Sequence, residues 1–356
     1  MHSFPSWNEE LFFRFNPQSV SKEFNIPLAE TTESQAFVIS KRQLHLGTKE
    51  WKKGNHFVYP VTFQDINSLI REIKYPAGKD FWKSSPSVRI RGNIGLLDFP
   101  EVMAIINMTP DSFYAGSRVS DDGVEERLDS IKKAGAKLVD IGGQSTRPGS
   151  EQVSVHEEMI RVKKAVEISL DKKFVVSIDS YRTEIIRECM EMGAHIINDV
   201  TGMENSEIGR LAKRYDVPLI IMHKKGNFKT MQLSPHYENV VQEIISFFLS
   251  KIEESRNIGI EDNIIFDPGI GFGKRVEDNV GILNSLRDFK LGRPLLIGLS
   301  RKNFIGEIMK ETVDERGISS LIFNAIAVQN GADIIRVHDV EENVKLIKII
   351  KKMKEI

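Results

Sequence analysis

Eight short apolar runs, rich in β-branched residues, recur along the chain after residue 101. They are Val102-Met-Ala-Ile-Ile, Leu138-Val-Asp-Ile, Phe174-Val-Val-Ser-Ile, His195-Ile-Ile, Val217-Pro-Leu-Ile-Ile-Met, Ile264-Ile-Phe, Leu295-Leu-Ile-Gly and Ile334-Ile-Arg-Val. Segments with helical periodicity separate successive runs, for example Thr183 to Met192 and Asn239 to Ser255. Continuous apolar runs are typical of strands buried on both faces, and intervening helices imply parallel pairing. The count and spacing predict an α/β chain with a (β/α)8 barrel, and a doubly wound open sheet is the alternative.

The first 95 residues have a different composition. All three tryptophans and 10 of the 20 phenylalanines precede residue 100, whereas most of the 25 glycines follow Ile94. Strand-like runs occur at Ala36 to Ser40 and His56 to Thr62, with a plausible helix from Gln64 to Ile73. Turn and breaker residues follow. We therefore predict a small α/β extension domain of unknown role over residues 1–95 and a catalytic barrel over 96–356, with the extension packed on the barrel or on a second subunit.

Charge and cysteine content exclude several classes of protein. A net charge of -1 without a basic block argues against nucleic-acid binding. The one cysteine, Cys189, can form no internal disulfide, and no apolar stretch is long enough to cross a bilayer. The first residues are acidic where a signal peptide is basic. The sequence predicts a cytoplasmic protein without membrane or nucleic-acid partners.

Polar side chains follow every predicted strand, and in a (β/α)8 barrel those positions form the active-site face. Asp179, Asn198 and Asp267 each come directly after an apolar run. Buried carboxylates need donors, so this set suits a flat heterocycle with an amino-amidine edge and a carbonyl, to which Lys302 would donate. The plainer alternative is that some of these acids only cap the following helices.

A second set of residues predicts an anion site. Arg336 and His338 are two apart on an extended segment, so they face the same side after strand 8, a region that frequently binds phosphate. Asn107 offers an oxygen of the kind that Mg²⁺ accepts. Two alternatives remain: a salt-bridged Arg beside a core His, and a zinc site at His223 and His338.

Three loops between the predicted elements have distinctive compositions. Thr109-Pro-Asp-Ser-Phe-Tyr-Ala-Gly-Ser-Arg and Gly142-Gly-Gln-Ser-Thr-Arg-Pro-Gly-Ser have the composition of lids that order on substrate binding, or of long surface loops. Gly269-Ile-Gly-Phe-Gly-Lys looks like a nucleotide-binding loop. It lacks the last Gly of a dinucleotide fingerprint, and Pro268 and Arg275 break the P-loop pattern.

At these blocks the chain resembles the dihydropteroate synthase family of pterin-binding (β/α)8 barrels, over about residues 98 to 356. The resemblance rests on Ile106-Asn-Met-Thr-Pro-Asp-Ser-Phe, Asp140-Ile-Gly-Gly-Gln-Ser-Thr-Arg-Pro-Gly, Ser177-Ile-Asp-Ser, Asn198-Asp-Val-Thr-Gly, Asp267-Pro-Gly-Ile-Gly-Phe-Gly-Lys, Ser300-Arg-Lys and Arg336-Val-His-Asp, in the family's order. Gln144, Ser180 and Asn303 depart from the Glu, Thr and Ser that are usual at these positions.

The resemblance implies roles for individual residues. The pterin would be held by Asp179, Asn198, Asp267, Lys302 and Asp140, with Phe272 and Met222 lining its pocket. The diphosphate would be held by Arg336, His338, Thr146 and Arg147, with Mg²⁺ at Asn107. Phe113 and Pro148 would close over the substrates, and Ser300 and Asn303 would face the aminobenzoate.

The implied reaction joins a pterin methyl diphosphate to 4-aminobenzoate, and the implied assembly is a homodimer that sulfonamides inhibit. A methyltetrahydrofolate-corrinoid methyltransferase would share the pterin residues but has no use for a diphosphate site. A non-catalytic pterin-binding protein is the third possibility, and loss of Lys302, Arg336 or Asn107 would favour it. All three residues are present.

Overall fold

The computed structural model describes residues 11–14, 17–27, 36–41, 43–44, 46, 48–62, 87–94, 96–108, 123–144, 153–228 and 230–355. The predicted helix Gln64 to Ile73 and both predicted lids beyond Met108 and Gln144 lie outside these residues. Cys189 is buried and free. In the part of the chain that is described, no helix combines the length and the apolar character needed to cross a membrane.

The described residues of the extension form a four-stranded antiparallel sheet in the order β1-β2-β4-β3 and one helix. Its elements are β1 (Leu11–Arg14), α1 (Pro17–Phe24), β2 (Ala36–Ser40), β3 (Trp51–Lys53) and β4 (His56–Val61). The sequence predicted β2 and β4 and missed β1, α1 and β3. A short hairpin follows, made of β5 (Arg89–Ile90) and β6 (Asn93–Ile94).

Eight parallel strands then alternate with helices. The strands are β7 (Glu101–Asn107), β8 (Leu138–Gly142), β9 (Val175–Asp179), β10 (Ile196–Asp199), β11 (Leu219–Met222), β12 (Ile264–Asp267), β13 (Leu296–Ile297) and β14 (Ile334–Val337). The helices are α2 (Gly123–Ala134), α3 (Val155–Asp171), α4 (Thr183–Met192), α5 (Ser206–Tyr215), α6 (Val240–Ile258), α7 (Val276–Asn284), α8 (Asn303–Met309), α9 (Gly317–Gln329) and α10 (Val340–Glu355), with a 3₁₀ helix at Leu286–Phe289.

The strands close into a barrel. Their order is β12-β11-β10-β9-β8-β7-β14-β13, and a parallel bridge between Phe266 and Leu295 joins the two ends. All eight predicted strands are confirmed, and the bridge that joins the two ends of the sheet excludes the open sheet. The barrel brings the C-terminal strand ends to one rim, where the polar residues of the sequence blocks meet.

Apolar side chains fill both faces of the strands. One cluster occupies the barrel interior near the strand starts and includes Met103, Leu138, Ile196 and Ile334. The hairpin closes this end from below, since Ile90 joins the cluster and is only 1% exposed. A second, larger cluster lies between strands and helices and continues into the extension. The hairpin therefore lies at the end of the barrel opposite the polar rim.

Candidate active site

A cavity of about 780 Å³ opens at the C-terminal ends of the barrel strands. Of the predicted site residues that the structure describes, all but Asp140 line it: Asn107, Asp179, Asn198, Met222, Asp267, Phe272, Ser300, Lys302, Asn303, Arg336 and His338. Phe113, Thr146, Arg147 and Pro148 lie outside the described residues. The strand ends therefore bring these side chains together around one cavity. The role of each residue stays a prediction.

Arg336 connects the acids of the site. Its guanidinium donates to Asp140 Oδ2 at 2.6 Å and to Asp179 Oδ2 at 2.7 Å. Asp140 is fully buried beneath the cavity and also accepts from Asn198 Nδ2 at 3.0 Å. This arrangement leaves the amide oxygen of Asn198 to accept a hydrogen bond from a ligand. The sequence predicted Arg336 as an anion ligand, with a salt-bridged Arg as the alternative, and its pairing with these particular acids was not predicted.

Burial raises the pKa of Asp179 to about 7. The neighbouring charges of Asp140, Glu158 and Asp199 act in the same direction, and the Arg336 guanidinium opposes them. Asp179 therefore changes its charge within the physiological pH range. A ligand that donates hydrogen bonds to it would favour the ionised form.

Asp267, Lys302 and Phe272 form the opposite wall. Asp267 Oδ1 accepts from the Gly269 amide at 2.7 Å, and burial raises the pKa of the carboxyl while Lys302 opposes the rise. The Lys302 ammonium lies 4.4 Å from the Phe272 ring centroid and donates to the Ile270 carbonyl. Burial lowers the pKa of Lys302 to about 8. An aromatic face thus stands beside a donor and an acceptor, as binding of a flat polar ring requires.

The loops after β13 and β14 are tied together at the anion end. The His338 amide donates to Ser300 Oγ at 3.2 Å, and Arg301 makes a bidentate ion pair with Asp339 at 2.9 and 3.1 Å. Asn107 reaches the same region from the end of β7. These contacts place Ser300, His338 and Asn107 around one part of the cavity.

Two contacts concern residues that depart from the resemblance. Asn303 Oδ1 accepts from Arg316 at 3.2 Å, so the amide nitrogen of Asn303 remains as a donor. Gln144 Nε2 donates to Tyr181 Oη at 3.0 Å. No sequence pattern pointed to Arg316, because it lies 13 residues beyond Asn303 and contacts it only after α8 has turned the chain back.

No zinc site forms at His223 and His338. His223 Nδ1 faces Lys274 Nζ at 3.0 Å instead. Among the described residues, no group of three or more His, Cys, Asp or Glu side chains could hold a metal. Asn107 supplies one neutral oxygen, which suits a Mg²⁺ ion that keeps its waters and binds mainly through substrate phosphates.

Comparisons with known proteins agree with this geometry. Residues 103–338 match the family model described as pterin binding enzyme. The chain belongs to the pterin-binding enzyme family. Within that family it is 40% identical over 258 residues to the dihydropteroate synthase of Haemophilus influenzae, covering 71% of this chain and 94% of the relative. It is 35% identical over 259 residues to that of Bacillus subtilis, covering 71% and 88%.

Solved structures of pterin-binding enzymes share the fold. A Yersinia pestis dihydropteroate synthase with a sulfonamide drug complex aligns with a TM-score of 0.71 and 37% identity, covering 76% of this chain and 100% of that one. A Xanthomonas albilineans enzyme in complex with 7,8-dihydropteroate aligns with a TM-score of 0.65 and 34% identity, covering 75% and 99%. Both alignments leave about a quarter of this chain uncovered.

Proposed function

We propose that the protein is a dihydropteroate synthase of folate biosynthesis. It condenses (7,8-dihydropterin-6-yl)methyl diphosphate with 4-aminobenzoate to 7,8-dihydropteroate and pyrophosphate. One observation supports this most directly: a single cavity holds acids and an amide suited to a pterin together with Arg336, Ser300 and His338, which suit a diphosphate. Relatives at 40% identity carry this name, and neighbouring structures contain 4-aminobenzoate and dihydropteroate.

The pterin ring would lie between two walls of the cavity. Asp179 and Asp267 accept hydrogen bonds from its amino and ring N–H groups, and the Asn198 amide oxygen accepts another. Lys302 donates to the ring carbonyl, while Phe272 and Met222 pack on the ring face. Asp140 acts from below by fixing Asn198 and Arg336.

The diphosphate is the leaving group, and stabilising its charge is the largest catalytic contribution. Arg336 and His338 would bind its oxygens, together with Thr146 and Arg147. Mg²⁺ at Asn107 would neutralise further charge on the diphosphate when bound. The residues present fit such an ion because Asn107 adds an oxygen at the anion end without adding a competing carboxylate.

The reaction needs no protein nucleophile. The electron-rich pterin supports positive charge at its methylene as the carbon–oxygen bond to the diphosphate breaks. The amine of 4-aminobenzoate then attacks that carbon, and its proton goes to solvent or to pyrophosphate. Ser300 and Asn303 would orient the aminobenzoate, Asn303 through its remaining amide donor, while Phe113 and Pro148 would exclude water from above.

One assay tests the function. Purified protein is incubated with Mg²⁺, the pterin diphosphate and 4-aminobenzoate, and dihydropteroate and pyrophosphate are followed by mass spectrometry. We expect product from the wild type and a fall in kcat/KM on the order of 10²- to 10³-fold for Arg336→Met, as for loss of a donor that stabilises developing charge. No product from the wild type, or full activity in the variant, would refute the mechanism.

A homodimer is the assembly that the surface supports. Ile318, Ile322 and Ile326 are four residues apart on α9 and are 75%, 56% and 40% exposed, so they form one apolar stripe. Met309 at the end of α8 is 50% exposed as well. An exposed apolar stripe of this kind supports an interface at α9.

The dimer is tested by light scattering after size exclusion. We expect a dimeric mass for the wild type and a monomeric mass for Ile322→Glu, because a carboxylate in the stripe would be buried without a partner. Ile349→Glu on α10 is the matched control, because Ile349 is 59% exposed, and this variant should stay dimeric. An unchanged mass for Ile322→Glu would place the interface elsewhere. Cytoplasmic location stays a prediction.

A further inference from the structure

Lys274, which ends the glycine-rich loop after β12, is a buried lysine held by neutral groups. It is 4% exposed, and its Nζ lies 3.0 Å from His223 Nδ1, 3.3 Å from the His223 carbonyl and 3.1 Å from the Phe272 carbonyl. No carboxylate of a described residue comes within ion-pair distance of it. A buried lysine without a counter-ion is rare, since burial disfavours its charge. The hydrogen bonds around Lys274 must therefore account for its burial.

The Lys274–His223 pair can keep its hydrogen bonds in two protonation states. Burial lowers the pKa of Lys274 to about 7 and holds the pKa of His223 well below its usual value. A charged Lys274 donates to all three acceptors. A neutral Lys274 donates to the two carbonyls and accepts from His223 Nδ1–H in the other tautomer. The charged groups that act on Lys274 from the surrounding loops are Asp267, Lys302, Asp278 and Lys225.

These hydrogen bonds join two loops of the active-site rim. The His223 amide donates to the Asp267 carbonyl at 2.8 Å, and a Cβ on Gly269 would lie only 1.9 Å from the His223 carbonyl oxygen. The loop after β12 thus lies directly on the loop after β11. Lys274 adds a third connection, because its Nζ bonds both to His223 and to the Phe272 carbonyl of its own loop. The Lys302 ammonium lies 4.4 Å from the centroid of the Phe272 ring.

We propose that Lys274 is a positioning residue of the pterin subsite, which acts by holding the main chain of Phe272 against the His223 loop. The inference rests on the proposed function and adds a residue to it. Lys274 lines the cavity beside Phe272, and its described hydrogen bonds reach none of the leaving-group residues. Its removal should weaken pterin binding through Phe272 and leave the other substrate unaffected.

The test measures the binding of each substrate separately in the full chain. The affinity for 6-hydroxymethylpterin is measured by fluorescence, and the Michaelis constant for the aminobenzoate is measured at saturating pterin diphosphate. For Lys274→Met we expect at least tenfold weaker pterin binding and an aminobenzoate Michaelis constant within twofold of the wild type. Lys251→Met is the matched control: its ammonium pairs with Glu254 at 2.7 Å within α6, and both quantities should stay within twofold.

A double-mutant cycle separates positioning from general loss of structure. Phe272→Ala removes the wall itself, so adding Lys274→Met to it should weaken pterin binding by less than a further twofold. A purely structural Lys274 would instead give independent losses that multiply, or would raise both substrate constants together. Either result overturns the proposal.

A second variant covers the case in which Lys274→Met does not fold. His223→Phe keeps a buried ring and removes Nδ1, leaving the two carbonyl contacts of Lys274. We expect two- to fivefold weaker pterin binding, absent in the Phe272→Ala background. Wild-type pterin binding in His223→Phe would overturn the proposal. Failure of the wild type to form dihydropteroate would refute the function alone, since pterin binding is measured separately.

Discussion

At the scale of single residues, the most informative group is the Arg336 guanidinium. It neutralises Asp140 and Asp179, which would otherwise be two buried carboxylates a short distance apart. The same side chain is the predicted ligand of the diphosphate. Arg336 therefore connects the pterin and diphosphate subsites electrostatically. A change in the charge of Asp179 would alter the electrostatic potential at both subsites.

Asp179 gives a pH dependence with a definite sign. Burial raises its pKa to about 7, so the carboxylate form that accepts hydrogen bonds from a pterin is lost as the pH falls through 7. We expect pterin affinity to decrease on going from pH 8 to pH 6, measured by calorimetry with 6-hydroxymethylpterin. Asp179→Asn should bind more weakly and lose this dependence. An equal decrease in the variant would assign the titration to another group.

The convergence of Asp179, Asn198 and Asp267 could be predicted from sequence because each follows an apolar run and parallel strand ends share one rim. Which partners these residues choose could not be predicted. The Arg336–Asp140 pair spans 196 positions and depends on side-chain rotamers across the barrel. Lys274 ends the glycine-rich loop, which matched no nucleotide-binding pattern, so the sequence predicted no role for it. Its contact with His223 in the structure indicates one.

At the scale of elements, apolar runs predicted every barrel strand, and the period-3.6 segments Thr183 to Met192 and Asn239 to Ser255 predicted α4 and α6 to within three residues. No segment was predicted for α7, α8 or α9. β13 has only two residues and was found because its run continues beyond the ladder. The hairpin β5–β6 was missed because each of its strands also has two residues and no apolar run accompanies them. Short elements leave little periodicity to detect.

The loop after β12 allows a matched comparison of two glycines. Gly269 and Gly271 have φ values of +66° and +79°, so alanine is strained at both positions. A Cβ at Gly269 would meet the His223 carbonyl oxygen at 1.9 Å, whereas one at Gly271 would meet the flexible Lys302 side chain at 3.2 Å. We expect Gly269→Ala to lose about 1–3 kcal/mol more unfolding free energy than Gly271→Ala, the usual range for overpacking. Equal losses in urea denaturation would show that the two loops separate easily.

At the scale of the whole molecule, the extension and the barrel share one apolar core. Arg14 of β1 is fully buried and pairs with Asp288 of the 3₁₀ helix at 2.6 Å and with Glu23 of α1 at 2.7 Å. Glu23 in turn accepts from Asn239, next to α6, at 2.6 Å. The division at residue 95 stays a prediction, but these contacts favour an extension that docks on its own barrel.

Docking through a buried ion pair predicts a large cost when the pair is broken. Arg14→Met removes the guanidinium that pairs with the buried Asp288, and we expect a loss of about 3–5 kcal/mol of unfolding free energy. Arg89→Met is the control, because the Arg89–Asp216 pair is exposed on both sides and such pairs contribute less than about 1 kcal/mol.

Since the core is shared, wild-type urea unfolding should show one transition by two probes. Tryptophan fluorescence reports on the extension, and circular dichroism is dominated by the barrel. Two separated wild-type transitions, or equal losses in the two variants, would mean that the extension folds independently and that its contact with the barrel contributes little to stability.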